Sequence, residues 1–107
     1  MKIAVDFSIF TEEGAFGQVS GDLDMVVIPE IGDSISFLFA DNGVVLDSNI
    51  KFCGILKVTD RIIPMRKGGS LAIALSEVVV PTKDDAIKIM QYFESAFDLF
   101  GQPYDNP

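Results

Sequence analysis

Apolar and polar residues alternate through the first ten positions of the chain. Ile3, Val5, Phe7 and Ile9 fall on one face; Lys2, Ala4, Asp6, Ser8 and Phe10 fall on the other. A period of two marks a strand buried on one side, so residues 2–10 are predicted as a half-buried strand. Thr11 to Gly17 reads as a loop, broken by Gly14 and Gly17. Residues 18–28 form a second strand, weakened by Gly21. Pro29 ends it, because proline has no amide to give a ladder. Asp22 and Asp24 share one face of this strand, with Leu23, Met25 and Val27 on the other.

Ile35, Phe37 and Phe39 line one face of a strand over residues 33–40. Asp41-Asn42-Gly43 follows. Asn-Gly accepts positive φ at both central turn positions, which predicts a hairpin into Val44-Val45-Leu46. In the next strand, residues 50–60, Ile50, Phe52, Leu56 and Val58 share a face, and Gly54 suggests a bend. Pro64 keeps Arg61–Met65 out of a central position, so this segment is expected at an edge. After the turn Arg66-Lys67-Gly68-Gly69, residues 70–80 make the last strand.

The helical period then replaces the strand period. Ala86, Ile89, Met90, Phe93, Ala96, Phe97 and Phe100 follow the three-and-four spacing of an amphipathic helix over residues 83–100. Thr82 suits the N-cap, and Asp84 and Asp85 meet the positive end of the helix dipole. Gly101 is the expected C-terminal stop, followed by Pro103.

Five to six short strands and one C-terminal amphipathic helix predict an α+β fold. The hairpin-rich order suggests an antiparallel, strongly curved sheet or a small barrel. Pro29-Glu30-Ile31-Gly32-Asp33-Ser34-Ile35 and the strands up to Val80 resemble an SH3-like barrel, with a Gly-Asp strand start and three hairpin-linked strands. The likeness covers less than half the chain, and such a barrel implies no single function. The chain is read as one domain, residues 1–107: strand-rich over 2–80, helical over 83–100, with a loose tail over 102–107.

Charge is unevenly spread along this pattern. Sixteen acidic residues face eight basic ones, a net charge of −8. One lysine and eight acids occupy residues 1–43, five basic residues and three acids 44–81, and two basic residues and five acids 82–107. Such a balance repels nucleic acid and anionic membranes. Hydrophobic residues make up 49% of the chain. Small domains hide a smaller share of their surface, so a homodimer is expected. Its surfaces are the Arg61–Met65 edge or a second sheet face with Val26, Ile28, Leu38, Ile55, Val78 and Val80. Asp6 interrupts the first apolar run before a signal peptide could form. No stretch approaches the ~18 apolar residues of a membrane helix. One cysteine makes no internal disulfide, and the expected compartment is a reducing cytoplasm.

Histidine is absent from the sequence. That removes the usual general base near neutral pH and the commonest metal ligand. Ser48-Asn49-Ile50-Lys51 matches the Ser-x-x-Lys string of acyl enzymes, but those place it at a helix start, and here Lys51 lies in a strand pattern. Cys53 has Lys51 and Lys57 on its side of the strand, a source of modest thiolate activation, and reads otherwise as a plain thiol. Asp22 and Asp24 could begin a divalent-metal site, yet they lack the glycine and glutamate of a calcium loop. Gly68-Gly69 precedes a strand rather than a helix, so it makes no phosphate loop.

No catalytic set, cofactor or metal site is expected. The leading expectation is a small cytosolic, non-catalytic binding or accessory protein working through protein–protein contacts. Its partner would be basic, steered by acidic residues such as Glu12, Glu13, Asp22 and Asp24. The alternative is a small-molecule module. Its apolar cavity would lie between the helix face (Met90, Phe93, Phe97) and the strand face bearing Phe37, Phe39 and Phe52.

Overall fold

The computed structural model describes residues 1–104. Strand β1 (Lys2–Thr11) and strand β2 (Gly14–Asp24) form a long antiparallel hairpin, with a register shift at Ile9/Phe10. The expected loop over 11–17 shrinks to Glu12 and Glu13, because Gly14–Gly17 pair with the end of β1. Strand β3 (Ser34–Ser36) pairs with β4 (Ile55–Ile62), and β4 with β5 (Ala72–Leu75). Helix α1 (Lys83–Phe97) follows β6 (Val78–Val79), and β7 (Phe100–Pro103) adds the far edge. The order across the sheet is β3-β4-β5-β1-β2-β7, with β6 also beside β1.

The α+β class and the single C-terminal amphipathic helix are present, but the sheet is neither all-antiparallel nor a barrel. β5 and β6 both run parallel to β1. The sheet is mixed and open, with seven strands among the described residues. The parallel pairing arises because the chain leaves β2, crosses to the opposite edge, and works back inward through β3, β4 and β5. The predicted 70–80 strand is split at Ser76-Glu77. Both halves flank β1, and Val78 and Val80 are buried in the core rather than on a second face.

The Asn42-Gly43 turn forms, with Gly43 at φ 77 and its amide on the Ala40 carbonyl at 3.2 Å. No hairpin grows from it. Residues 37–54 instead run as an irregular arm over the sheet. Phe37 and Ile50 are buried, and Val44, Leu46 and Phe52 pack against the core. The reason is area. A helix about 10 Å wide covers two or three strands spaced about 4.8 Å apart. α1 contacts β1, β2 and β7, so the β4–β5 half needs a second cover. Gly54, at φ 78, turns the arm into β4, and a Cβ there would collide with the Leu38 side chain.

Thr82 caps α1 as expected, accepting the Asp85 amide at 3.2 Å. The helix stops at Phe97, earlier than expected. Asp98, rather than Gly101, takes the left-handed C-cap position at φ 56, a conformation short polar residues tolerate. Leu99 is buried, and Phe100 to Pro103 pair with Gly17 to Ser20. Gln102 and Pro103 of the expected loose tail therefore belong to an edge strand. Residues 105–107 of that tail lie outside the described residues.

Beneath α1, Ile3, Val5, Phe7, Ile9 and Val19 meet Ala86, Ile89, Phe93 and Ala96 in one core. Phe93 is its hub, edge-on to Phe7 at 4.7 Å and to Phe37 at 5.0 Å between ring centroids. Tyr92 is also buried; its hydroxyl donates to the Phe37 carbonyl, tying the arm to the helix. Asn42 donates to the Ser95 carbonyl at 2.8 Å, and Lys88 reaches Asp47 at 3.6 Å.

Candidate protein-binding face

Among the described residues, all the large cover lies on one side of the sheet. The other side is open, and its side chains follow from the register. Ala4, Asp6, Ser8 and Phe10 alternate with the buried residues of β1 and are half-buried. Their neighbours continue the rows. Asp60 of β4, Ala74 of β5, Asp6 of β1, Ser20 of β2 and Phe100 of β7 stand side by side. The next row is Ile62, Ala72, Ala4 and Asp22. Beyond it, Lys2 faces Asp24, which also lies 3.8 Å from the N-terminal ammonium.

The face therefore has a floor of small side chains (Ala4, Ala72, Ala74, Ser8, Ser20) and a cluster of carboxylates. Asp6 and Asp60 are two strand spacings apart, about 10 Å, and Asp22 is diagonal to Asp6 at about 7–8 Å. These separations suit several cationic side chains, one per carboxylate. They do not suit one shared ion, and no cluster of metal-ligating side chains occurs among the described residues. Exposed apolar residues rim the floor: Phe100 at 62% and Val79 at 64% exposure, with Ile62 and Ile55.

The structure divides the four acids read from the sequence as partner-binding. Asp22 and Asp24 lie on the open face. Glu12 and Glu13 sit at the hairpin tip, at the far end of β1, where Glu13 approaches Lys83 at 3.9 Å. Both partners there are well exposed, so that ion pair adds little stability. Asp6 and Asp60 join the face and were not singled out. Asp6 was legible from the alternation. Asp60 was not, because a register shift after Val58 sets which way it points.

The six side chains named for an apolar cavity are also separated. Phe37, Phe52, Phe93 and Phe97 pack together, Phe37 edge-on to Phe97 at 5.1 Å and Phe52 at 6.0 Å from Phe93. Met90 lies over Gly17 and Gly101, toward the β7 edge. Phe39 is 89% exposed. With Phe97, Asp24 and Asp41 it lines a surface groove of about 590 Å³. Phe37, Phe52 and Phe93 line none of the five principal grooves among the described residues.

Cys53 is exposed, its thiol 3.5 Å from the Ile55 carbonyl. Ser48 lies in a turn closed by the Ile50 amide on the Asp47 carbonyl at 3.1 Å, so Ser-x-x-Lys is not at a helix start. Asp47 accepts the Asn49 amide and faces Lys88, which hold its carboxyl below the ordinary range. Burial pushes the Tyr92 phenol up. Both groups belong to the contacts of the arm. No helix of the described residues is long and apolar enough to cross a membrane. Compared with protein-family models, curated proteins and solved structures, the chain matches none.

Proposed function

We propose that this chain is a small cytosolic binding or accessory protein. It acts by protein–protein contact and receives a basic partner on the open face of its sheet. One observation carries the reading: an uncovered face whose floor is Ala and Ser and whose carboxylates, Asp6, Asp22, Asp24 and Asp60, outnumber its cations, Lys2 and Lys57. All-parallel sheets are usually covered on both sides, whereas antiparallel sheets can leave one side open. Here β1 lies between β2 and the parallel β5 and β6, and one side is bare. Small side chains let a partner helix or strand lie close. The carboxylates then meet its Lys or Arg groups, and the apolar rim excludes water around those pairs. The net charge of −8 steers such a partner over a distance, more strongly at low salt.

Affinity capture from the native host tests this, using the wild-type chain and an Asp6→Asn/Asp22→Asn/Asp60→Asn variant as baits. The expected result is one basic protein held stoichiometrically by the wild type at low salt and lost by the variant. Equal retention by both baits, or no stoichiometric protein at all, contradicts the proposal.

A further inference from the structure

A different surface borders the open face at one end of the sheet. There, Asp24 pairs with Lys2, Met25 donates to the Met1 carbonyl, Ala4 donates to Leu71, and Ile62 pairs with Ala72. The ends of β2, β1, β5 and β4 are therefore level. The chain leaving β2 runs along this end, where Val26 is 99% exposed, followed by Val27 and Ile31. The chain leaving β4 carries Ile63 and Met65, the latter 100% exposed. Met25, Val26, Val27, Pro29 and Ile35, with Asp33, line a groove of about 410 Å³. An apolar knob and an apolar groove thus lie at the same end of one sheet.

We propose that this end is a two-fold interface between copies of the chain, with Ile63 and Met65 of each copy seated in the Met25–Val27 groove of the other. A two-fold axis uses one patch twice, so knob and groove must lie together on each protomer, as they do here. Charge allows it. Arg61, Arg66 and Lys67 flank the knob in sequence, while Asp24 and Asp33 line the groove. The open face instead would set Asp6, Asp22 and Asp60 against their own copies.

Area leaves room for a cover of about this size. The chain exposes 6926 Å², whereas a compact monomer of this mass exposes about 5,900 Å². The excess, about 1,000 Å², is close to the roughly 800 Å² per partner that a stable interface buries.

Sedimentation equilibrium of the full chain at micromolar concentration, with no other protein present, tests this apart from the basic-partner reading. The expected species has twice the 11.7 kDa chain mass. Met65→Glu and Val27→Lys each change an exposed side chain, so each should keep the wild-type circular dichroism. Each should weaken the dimer by about 100-fold or more. Mixed together, they should restore a heterodimer, because Glu at the knob of one meets Lys at the groove of the other while the second knob and groove stay intact. Val79→Asp, on the open face, should leave dimerisation within about twofold, as a distant site adds independently. A single 11.7 kDa species for the wild type, dimers surviving Met65→Glu, no heterodimer from the mixture, loss of the dimer in Val79→Asp, or growth past the dimer would each overturn the proposal.

Discussion

On one side of β1, Ile3, Val5, Phe7 and Ile9 are at most 3% exposed; on the other, Ala4, Asp6, Ser8 and Phe10 remain partly wet. The same ten-residue strand thus serves two surfaces that answer to different physics. The covered side gathers Phe7, Phe37, Phe52, Phe93 and Phe97 under a helix and an arm, and burial of apolar area holds the fold there. The open side bears small and acidic groups that add little to folding and set how the surface meets a partner. Stability and recognition are separable here residue by residue, and substitution on each side should show it.

The largest effect belongs to the covered side. Phe93 is fully buried and touches five other rings. Phe93→Ala should lose about 3–5 kcal/mol, the range for truncated core aromatics. That is much of a small domain's stability, and urea denaturation should show a far lower midpoint. A loss below about 1 kcal/mol would mean that the ring cluster is not the core of the fold.

Tyr92→Phe probes the tie between helix and arm. It keeps the ring but removes the donor to the buried Phe37 carbonyl. An unpaired buried acceptor costs about 1–3 kcal/mol. Hydrogen exchange should speed first in the 37–54 arm, with β1 amides the last to change.

Acid should reach the same arm. Asp47 is held below its ordinary carboxylate value of 3.8 by the Asn49 amide and Lys88. Its contribution is therefore complete above that pH and is lost as pH falls through the lowered value in the folded protein. Lys88→Ala should only shrink this acid-side step in arm exchange rates, because the Asn49 amide is the larger cause, and Asp47→Asn should remove it. An unchanged step would assign it to another carboxylate.

The smallest stability effect is expected on the open side. Asp6→Asn/Asp22→Asn/Asp60→Asn should change unfolding free energy by no more than about 0.5 kcal/mol per site, as for surface positions away from packed features. Equilibrium denaturation measures it. A loss comparable to that of Phe93→Ala would erase the distinction between the two sides.

The two sides were not equally legible in the sequence. β1 could be read whole, because a strict period of two over Ile3 to Ile9 leaves one way to bury it. The helix start was also plain from Thr82, Asp84 and Asp85. Its end was not, since a left-handed Asp98 competes with Gly101 and the residues after it find β2. The arm reads as a hairpin in sequence because Asn42-Gly43 is a local signal, whereas the need to cover β4 and β5 is a tertiary one. Parallel pairing of β5 with β1 leaves no mark in either strand, so the sheet was expected to be antiparallel. The open face depends on that pairing. Asp22 and Asp24 were visible as a same-face pair, but their neighbours Asp6 and Asp60 come from strands far apart in sequence. Only the strand order brings them together.

The most direct test of the central claim is a map of amide chemical shifts in the isotopically labelled chain. It would be recorded with and without the captured basic partner at low salt. Shifts centred on Ala4, Asp6, Ser8, Ser20, Ala72 and Ala74 are expected, fading as salt rises. Shifts confined to α1 and the 37–54 arm, with the open face unchanged, would contradict that claim.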